Sequence, residues 1–489
     1  MDDARRRFPA AAVDVRAQKR EPSMESLKER MTAIMSTRNR VSTPLLLALC
    51  LLPAGLAQQR TGPDALIKII GDGKGTIAVP DMRGTGDAQR HMAVFNKTLF
   101  EDLQDSGVFK MAPKTSYPIE IPQRPQDFKP PVNNQRMGPW LTDWSNPPVS
   151  ANFLTVGYAG VQDNRFLLYG WLFNVEQQNV AAAQVLNKVY LGDLSEEGAR
   201  KVAHEFAADI LAKFGVKPIF GTKIYYTSSR GGNVKEIWVM DWDGSNKKQL
   251  TRLNSTTTFA AVSPDNTRLA FTTFARGNPT VMLMSLETGR LLPFYNQKAS
   301  VNASPEFTAD GNLLFASTAH GGALNIYTCR QDGSGLRRLA HSTAIETEPK
   351  VNPRTGSEIV FTSGRSGPPQ IYKMNMEGAD VVRLTSGEGE AVNPSWHPDG
   401  QFIAFSWTRG YDPGNYNIFV MDVATGKDVQ LTHGQGRNEN PSWAPDGRHL
   451  VFSSNRSGSL QIWTMLADGT QLRQLTHEGI NDKPVWSRN

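Results

Sequence analysis

The sequence predicts a mixed α/β N-terminal domain followed by an all-β propeller of six blades. The first observation is a repeat, because one unit of several short strands recurs from about Ile224 to the C-terminus. The second is its period of 44 to 47 residues, marked by the aromatic residue of the second strand at Tyr226, Phe271, Phe315, Phe361, Phe405 and Phe452. A fixed period in the forties is typical of propeller blades. The third is that the region before the repeat mixes helix-like and strand-like patterns.

Each repeat has the composition of a small antiparallel sheet. Runs such as Ile403–Trp407 and Asn417–Met421 are rich in β-branched and aromatic residues. Pro-Asp-Gly and Asp-Gly pairs separate them, and tight turns need such residues for their positive φ angles. A single blade cannot bury both faces, so the blades are expected to stack around an axis and bury one another.

The C-terminus is predicted to close the ring. Residues Lys483–Ser487 resemble only the first strand of a further unit, and the first unit near Ile224 lacks such a strand. The last strand would then complete the first blade and leave no exposed edge. Lys217–Phe220 is the alternative candidate for that strand.

Residues 1–57 are predicted to be a leader that contains an export signal at 38–57. Arg38 and Arg40 precede a short apolar run at 45–52, and Ala57 is a small residue suited to cleavage before Gln58. A membrane anchor is the alternative, but the apolar run is short for a membrane span. A lipoprotein signal around Cys50 is a second alternative. Residues 1–30 are interpreted as an upstream mis-start or an extension.

Charge and cysteine content argue against several classes of protein and site. The chain carries a net charge of +6, but residues 1–57 hold 10 basic and 6 acidic residues, which leaves about +2 for the rest. The basic balance therefore gives no argument for nucleic-acid binding. The two cysteines are Cys50 and Cys329, so neither a disulfide framework nor a CxxC metal site is expected.

Residues 58–215 are predicted to form the α/β domain, and residues 220–489 the propeller. A helix is expected from Asp87 to Ser106, ended by Gly107, and a second from Ser195 to Phe214. The proline-rich stretch 112–148 is expected to be irregular, with its tryptophans in or near a core. The predicted strands are Leu66–Ile70, Thr76–Pro80, Phe153–Tyr158 and Arg165–Tyr169.

We find no catalytic, metal-binding or cofactor-binding motif. Gly364-Arg365-Ser366-Gly367 is followed by Pro368, so it is no nucleophile elbow. His204-Glu205 has Ala208 where a zinc-protease motif needs histidine. The glycine-rich stretch 71–75 precedes a strand, which favours a turn over a phosphate loop. The segment Asp241–Gly244 lacks the further oxygen ligands of a calcium loop.

The polar residues just before each first strand are the candidate binding site. In a propeller the first strand lines the central channel, so the preceding loops are expected at a channel mouth. These loops vary among the repeats, and variable polar loops on a rigid scaffold often bind partners; ordinary solvated loops are the alternative. The loops contain Thr258, Asn302, Thr347, Glu348, Asn393, Glu439, Asn440, Asp482 and Lys483, and all of these except Lys483 are the candidate binding residues.

Two further sets of residues recur with the repeat. The tryptophans Trp396, Trp443 and Trp486, one per blade, are interpreted as blade-packing residues. The arginines Arg365, Arg409 and Arg456 either brace neighbouring loops or face water, and the sequence leaves both possibilities open.

The chain resembles the TolB family, the periplasmic components of the Tol-Pal system of the Gram-negative envelope. The resemblance rests on the helix end at Glu101–Phe109, the export signal, the small α/β domain and six repeats of the Pro-Ser-Trp-x-Pro-Asp-Gly kind. It covers about residues 58–489. The chain departs from the pattern in the insert at 112–148, at Pro264-Asp265-Asn266 and at Pro353–Gly356, where loops are expected to differ.

The resemblance implies a non-enzymatic protein of the periplasm that supports outer-membrane integrity and constriction at division. The implied partners are a Pal-like peptidoglycan-associated lipoprotein at the propeller mouth and a TolA-like inner-membrane protein at the N-terminal segment Gln58, Gln59, Arg60 and Thr61. Cofactors, nucleic acid and direct membrane insertion are not expected. Replacing Glu348 and Glu439 by Lys is expected to weaken partner binding with little loss of stability. A propeller-containing hydrolase or peptidase and a propeller that binds sugars or small molecules are the alternatives.

Overall fold

The computed structural model describes residues 75–488, apart from Asn134, Gly231, Asn233 and Gln297. The predicted export signal, the segment Gln58–Thr61 and the strand Leu66–Ile70 lie outside the described residues. Within the described part of the chain, no helix is both long enough and apolar enough to cross a membrane.

The first part of the described chain is a six-stranded sheet covered by helices. The strand order is β3-β1-β4-β5-β6, and β2 pairs with β4. The strands β1, β2 and β3 run parallel to their neighbours, while β4, β5 and β6 are antiparallel. The strands are β1 (Thr76–Ala78), β2 (Arg83–Gly84), β3 (Lys110–Met111), β4 (Phe153–Gln162), β5 (Arg165–Asn174) and β6 (Gln184–Asp193).

Two long helices cover one face of this sheet. Their apolar residues, among them Phe95, Leu99, Phe206 and Ile210, are fully buried against it. The Ser195 hydroxyl accepts a hydrogen bond from Gly198 N at 3.1 Å and caps the second long helix, as its sequence predicts. The α-helices are α1 (Met92–Asp105), α2 (Thr142–Ser145), α3 (Val180–Ala183) and α4 (Glu196–Lys213), and 3₁₀ turns span Gly86–His91, Lys114–Ser116 and Pro125–Asp127.

The proline-rich segment covers part of the other face. Phe128, Leu141 and Trp144 from this segment are buried against Trp171 and Phe173 of β5. Apart from its short helical turns the segment is irregular, as expected. Trp144 belongs to this core, and Trp140 packs against it.

Six four-stranded antiparallel sheets form the propeller. In five of them the strands follow one another outward in chain order, and in the first blade the C-terminal strand is innermost. The first blade contains β30 (Asn481–Trp486), β7 (Lys223–Ser228), β8 (Glu236–Asp241) and β9 (Lys248–Gln249). The second contains β10 (Thr257–Val262), β11 (Arg268–Arg276), β12 (Asn278–Ser285) and β13 (Leu291–Leu292). The third contains β14 (Asn302–Phe307), β15 (Leu313–Ser317), β16 (Asn325–Cys329) and β17 (Arg337–Arg338). The fourth blade contains β18 (Glu346–Val351), β19 (Glu358–Ser363), β20 (Gln370–Asn375) and β21 (Val382–Arg383). The fifth contains β22 (Ala391–Trp396), β23 (Phe402–Trp407), β24 (Asn417–Asp422) and β25 (Asp428–Gln430). The sixth contains β26 (Asn438–Trp443), β27 (His449–Ser454), β28 (Gln461–Leu466) and β29 (Arg473–Gln474).

The C-terminal strand closes the ring, as the sequence predicts. Strand β30 pairs antiparallel with β7, and Asn481 lies opposite Ser228. The side chain of Trp486 anchors this strand, because its Nε1–H donates a hydrogen bond of 2.8 Å to Thr222 Oγ1. The alternative segment, Lys217–Phe220, forms no strand.

The α/β region and the propeller pack together as parts of one compact unit. They are joined by the segment between Lys213 and Lys223, which contains the predicted boundary at residues 215–220. As a division into domains, that boundary stays a prediction.

Candidate functional site

The first strand of every blade contains a bulge. The pairing register shifts within each of these strands, for example between Thr347 and Lys350. At each bulge one residue other than glycine has a positive φ of 51° to 57°. Such a backbone costs roughly 1–2 kcal/mol per residue. We call these six residues the inner ring; they are Phe259, Ser304, Glu348, Asn393, Asn440 and Lys483.

The inner ring borders a single cavity of about 380 Å³ at the propeller axis. All six first strands contribute to its wall. The next residue of each strand lines the cavity too, and it is proline in five blades and Ala260 in the other. The first strands end toward the turns that contact the α/β region, and Lys217 and Arg488 border the cavity near that end. We call this end the base and the opposite end the mouth.

All eight predicted binding residues lie within the first strands, so placing them in the preceding loops was wrong. The bulge explains the error, because the strand continues upstream of the kink. Three of the eight, Glu348, Asn393 and Asn440, belong to the inner ring and border the cavity. The other five are one or two positions upstream and are absent from its wall: Thr258, Asn302, Thr347, Glu439 and Asp482.

Four of the five upstream residues form hydrogen bonds to a neighbouring strand, and Glu439 forms an ion pair beside its own strand. Asp482 Oδ1 accepts hydrogen bonds from Asn440 Nδ2 at 3.0 Å and from Ser453 Oγ at 2.9 Å. Glu439 pairs with Arg437 at 2.8 Å. The remaining three engage hydroxyl groups: Thr258 with Thr227, Asn302 with Ser317, and Thr347 with Ser304. The four bonds between strands help to hold the first strands in place.

The candidate set lacks three inner-ring residues: Phe259 and Ser304 were not singled out, and Lys483 was named in its loop but not chosen. A usable signal was present for two of them, because Ser304 and Lys483 directly precede the repeat proline, as Glu348, Asn393 and Asn440 do. Phe259 precedes Ala260 and lacks that marker. The residue before proline usually favours extended backbone with negative φ, so only the bulge reveals the ring.

Opposite charges face each other across the inner ring. Glu348 and Lys483 belong to blades three positions apart in the six-membered ring. Glu348 accepts hydrogen bonds from Asn393 Nδ2 at 2.7 Å and Asn393 N at 3.0 Å. The Lys483 ammonium lies 4.7 Å from the ring centroid of Phe259. Burial lowers the pKa of Lys483, but the carboxylates of Asp482, Glu439 and Glu348 more than offset this, so the pKa is raised overall.

Two cations and one carboxylate meet toward the base. Glu306 is 8% exposed, and its two oxygens contact Lys350 Nζ at 2.7 Å and Arg488 Nη2 at 2.6 Å. Lys217 adds a third cation to the same cavity wall. The described residues contain no group of three or more His, Cys, Asp or Glu side chains arranged to hold a metal ion.

The recurring arginines brace their own blades, whereas the sequence suggested either neighbouring loops or solvent. Arg365 pairs with Glu346 on the first strand of its blade. Arg409 pairs with Asp428 and lies 4.1 Å from the ring centroid of Trp407. Arg456 lies 5.1 Å from the ring of Trp463. The arginines therefore stiffen the scaffold of the channel.

The recurring tryptophans take part in blade packing, as predicted, and they do so between neighbouring blades. Trp396, Trp443 and Trp486 are nearly fully buried in separate hydrophobic clusters. The Trp396 indole donates a hydrogen bond of 3.0 Å to Lys350 O in the preceding blade. This bond ties two neighbouring first strands together.

The sixth blade binds the end of helix α1. Arg448 Nε donates to Ser106 O at 3.1 Å, and His449 Nε2 donates to Asp105 O at 2.9 Å. Nearby, His204 of α4 contacts Asp102 of α1 at 2.7 Å and stacks against Phe220. His204 is thus a structural residue at the junction, consistent with the failed zinc motif.

Comparison with known proteins identifies the family. The sequence matches PD40, the TolB beta propeller domain, over residues 213–412 and 385–489, which together span more than half of the chain. It is 35% identical over 312 residues to the protein TolB homolog of Chlorobium luteolum, covering 63% of this chain and 70% of that protein. The chain belongs to the TolB family.

Further comparisons agree with this family. The Tol-Pal system protein TolB of Bordetella pertussis is 34% identical over 189 residues, which cover 38% of this chain and 42% of that protein. The crystal structure of TolB from Acinetobacter baumannii matches with a TM-score of 0.66 at 23% identity, over 85% of this chain and 97% of that chain. This likeness shows the common fold, a TolB-like α/β region followed by a six-bladed propeller.

Proposed function

We propose that this chain is a non-enzymatic TolB component of a Tol-Pal system that acts in the periplasm. In this role it binds a Pal-like peptidoglycan-associated lipoprotein and a TolA-like inner-membrane protein. It thereby supports outer-membrane integrity and constriction at division. Membership of the TolB family supports a role in this system, because the relative from Bordetella pertussis is named a Tol-Pal system protein.

The observation that carries the proposed Pal site is the inner ring. Six strained residues other than glycine converge on one cavity, one from each blade. Strained backbone persists where the surroundings hold it firmly, and it clusters at binding sites. The neighbouring hydrogen bonds, such as Asn440 to Asp482, keep the wall preformed. A preformed wall lowers the ordering cost of association, so modest contacts suffice for binding.

Filling the channel tests this site directly. In Ala260→Trp an indole replaces the one residue of its layer that is not proline, and we expect it to narrow the cavity that Ala260 borders. We expect binding of the Pal-like partner to weaken roughly tenfold or more, which is about 1.4 kcal/mol. Ala379→Trp, on an exposed turn of the fourth blade, is the matched control. Calorimetric titration measures affinity, and a melting curve checks folding. Equal affinity for both variants would remove the channel as the site.

The contacts of Glu348 and Glu439 favour a milder substitution than lysine. Replacement by Lys was expected to leave stability almost unchanged, but both side chains are engaged inside the protein. Glu348→Lys would place an ammonium where Asn393 and Thr362 donate hydrogen bonds, so the double charge reversal is expected to destabilise the fold. Glu348→Gln keeps the shape and removes the charge, and on the proposed function it weakens binding by about 1 kcal/mol, roughly fivefold.

The TolA-like partner is assigned to the segment that begins at Gln58, which lies outside the described residues. Deleting residues 58–63 is expected to abolish binding of the TolA-like protein and to leave the melting temperature unchanged. Unchanged binding would contradict this assignment. The periplasmic location is tested by mass spectrometry of exported protein, which should show an N-terminus within a few residues of Gln58. An envelope form that starts at Met1 would contradict it.

A non-enzymatic role is tested with peptide and ester substrates. Purified protein is expected to show no turnover, since the sequence contains no nucleophile elbow or zinc-protease motif. Saturable hydrolysis that survives further purification would favour the hydrolase alternative.

A further inference from the structure

The base of the channel carries more positive than negative charge. Lys217, Lys350 and Arg488 border it, and Glu306 is the one carboxylate on the described cavity wall near them. Among the described residues, Glu306 compensates a single positive charge, so two positive charges remain. Lys217 has no salt bridge with any described residue and is exposed. The base is therefore an electropositive pocket at the end of a partly desolvated cavity.

The cations at the base keep unused hydrogen-bond donors. Arg488 offers five N–H groups and Lys350 offers three. In the described structure, the recorded hydrogen bonds of these two side chains go to Glu306, at 2.6 and 2.7 Å. The two cations bind different oxygens of the same carboxylate, so they lie side by side. An arginine beside a lysine, each with free donors, is well suited to bind a further carboxylate through charge-assisted hydrogen bonds.

We propose that the base of the channel binds a carboxylate on the segment that the Pal-like partner inserts from the mouth, held by Lys350 and Arg488 with Lys217 nearby. This inference rests on the proposed function and specifies the chemistry of the inserted segment. Lys350 is two residues beyond Glu348 of the inner ring, so it lies at most about 7 Å deeper along the strand. A short loop that enters the mouth therefore reaches the base. Glu306 acts as an internal competitor for the same cations.

Two substitutions with opposite expected effects test the site. In Lys350→Met the anion loses one cation, while Glu306 keeps its pair with Arg488, so the fold is retained. We expect partner affinity to fall about tenfold. In Glu306→Gln the internal competitor loses its charge, and we expect affinity to rise several-fold. A purely structural role for this ion pair would not make the second variant bind more tightly.

The chain supplies a matched control for Lys350. Lys373 pairs with Glu358 at the same distance of 2.7 Å, and its side chain is 28% exposed, against 27% for Lys350. It lies on β20, away from the cavity wall. Lys373→Met is expected to leave partner affinity unchanged. A similar loss in both methionine variants would overturn the proposal.

The experiment titrates each variant with the soluble domain of the Pal-like partner, and then with partner variants in which single Asp or Glu residues become Asn or Gln. We expect one of these partner substitutions to weaken binding to the wild-type protein. The same substitution should cause no further loss of affinity for Lys350→Met. Inorganic phosphate is a second probe that does not need the partner. It should raise the melting temperature of Glu306→Gln more than that of the wild type, and least for Lys350→Met.

The outcomes separate the two proposals. If the partner binds and all variants bind equally, the carboxylate site is overturned and the proposed function stands. If the partner fails to bind the wild type, the proposed function and the identity of the occupant fall together. The phosphate series then decides the site itself: ordered shifts retain an anion site at the base, and equal shifts overturn it.

Discussion

The guanidinium of Arg448 in the sixth blade donates a hydrogen bond of 2.7 Å to the carbonyl oxygen of Gly107, directly after helix α1. Carbonyl groups at a helix C-terminus lack partners within the helix and carry partial negative charge. A residue 341 positions away in the sequence therefore completes the end of α1. This contact fixes the α/β region on the face of the propeller that contains the base of the channel.

Removing that contact should destabilise the protein. Arg448→Ala leaves the carbonyl groups of Ser106 and Gly107 without a charged donor in a buried place, and we expect a loss of roughly 2 kcal/mol in the free energy of unfolding. Denaturant unfolding measures the change. Arg473→Ala is the control, because Arg473 is 41% exposed and pairs with Asp105 at 3.2 Å in the same junction. Exposed pairs contribute little, so we expect a loss below about 1 kcal/mol. Equal losses would contradict the role given to Arg448.

Asp102 should make the stability of the junction depend on pH. Burial raises the pKa of Asp102 to about 6, although the hydrogen bond from His204 opposes the shift. Because the folded pKa is above the unfolded value, the folded state binds more protons between about pH 4 and pH 6. The contribution of Asp102 to stability is therefore lost as pH rises through that window, by at most about 3 kcal/mol.

Asp102→Asn removes this titration. The stability of the variant relative to the wild type should increase between pH 4 and pH 7, as measured by urea unfolding at each pH. Asp87→Asn is the control, since Asp87 is a solvent-exposed residue on the surface. A constant difference between Asp102→Asn and the wild type across this range would refute the prediction.

The strained backbone of the inner ring should tolerate glycine and reject branched side chains. Ser304 has φ of 54°. Glycine adopts this conformation freely, so relief of strain offsets its greater unfolded-state entropy, and Ser304→Gly should change stability by less than about 1 kcal/mol. Valine is disfavoured there, so Ser304→Val should cost roughly 2 kcal/mol or more. Ser304→Ala isolates the loss of the hydroxyl. Melting curves of the three variants in the order Gly, Ala, Val would support the strain, and a stable valine variant would oppose it.

Local pattern was sufficient to predict the propeller and its closure. Strand and turn signals repeat every 44 to 47 residues, and residues such as Trp486 mark the first strand of each unit. Helix α4 was predicted because its cap and its apolar stripe are local properties. Strand β6, from Gln184 to Asp193, was not predicted, because its polar residues at 187 and 188 weaken the alternation of apolar and polar residues. Its pairing with β5 is a tertiary contact that local sequence does not predict.

The candidate site shows which features the sequence alone does not predict. By itself the sequence predicted that polar, non-repeating residues from all six repeats would surround an axis, because repeat length and strand pattern depend on neighbouring residues. The tertiary structure decided which side chains border the cavity, because a bulge at residues such as Glu348 reverses the alternation that the sequence predicts. It also decided that Lys350 and Arg488 meet at Glu306. These three residues come from three different blades, and only closure of the ring brings their charges together.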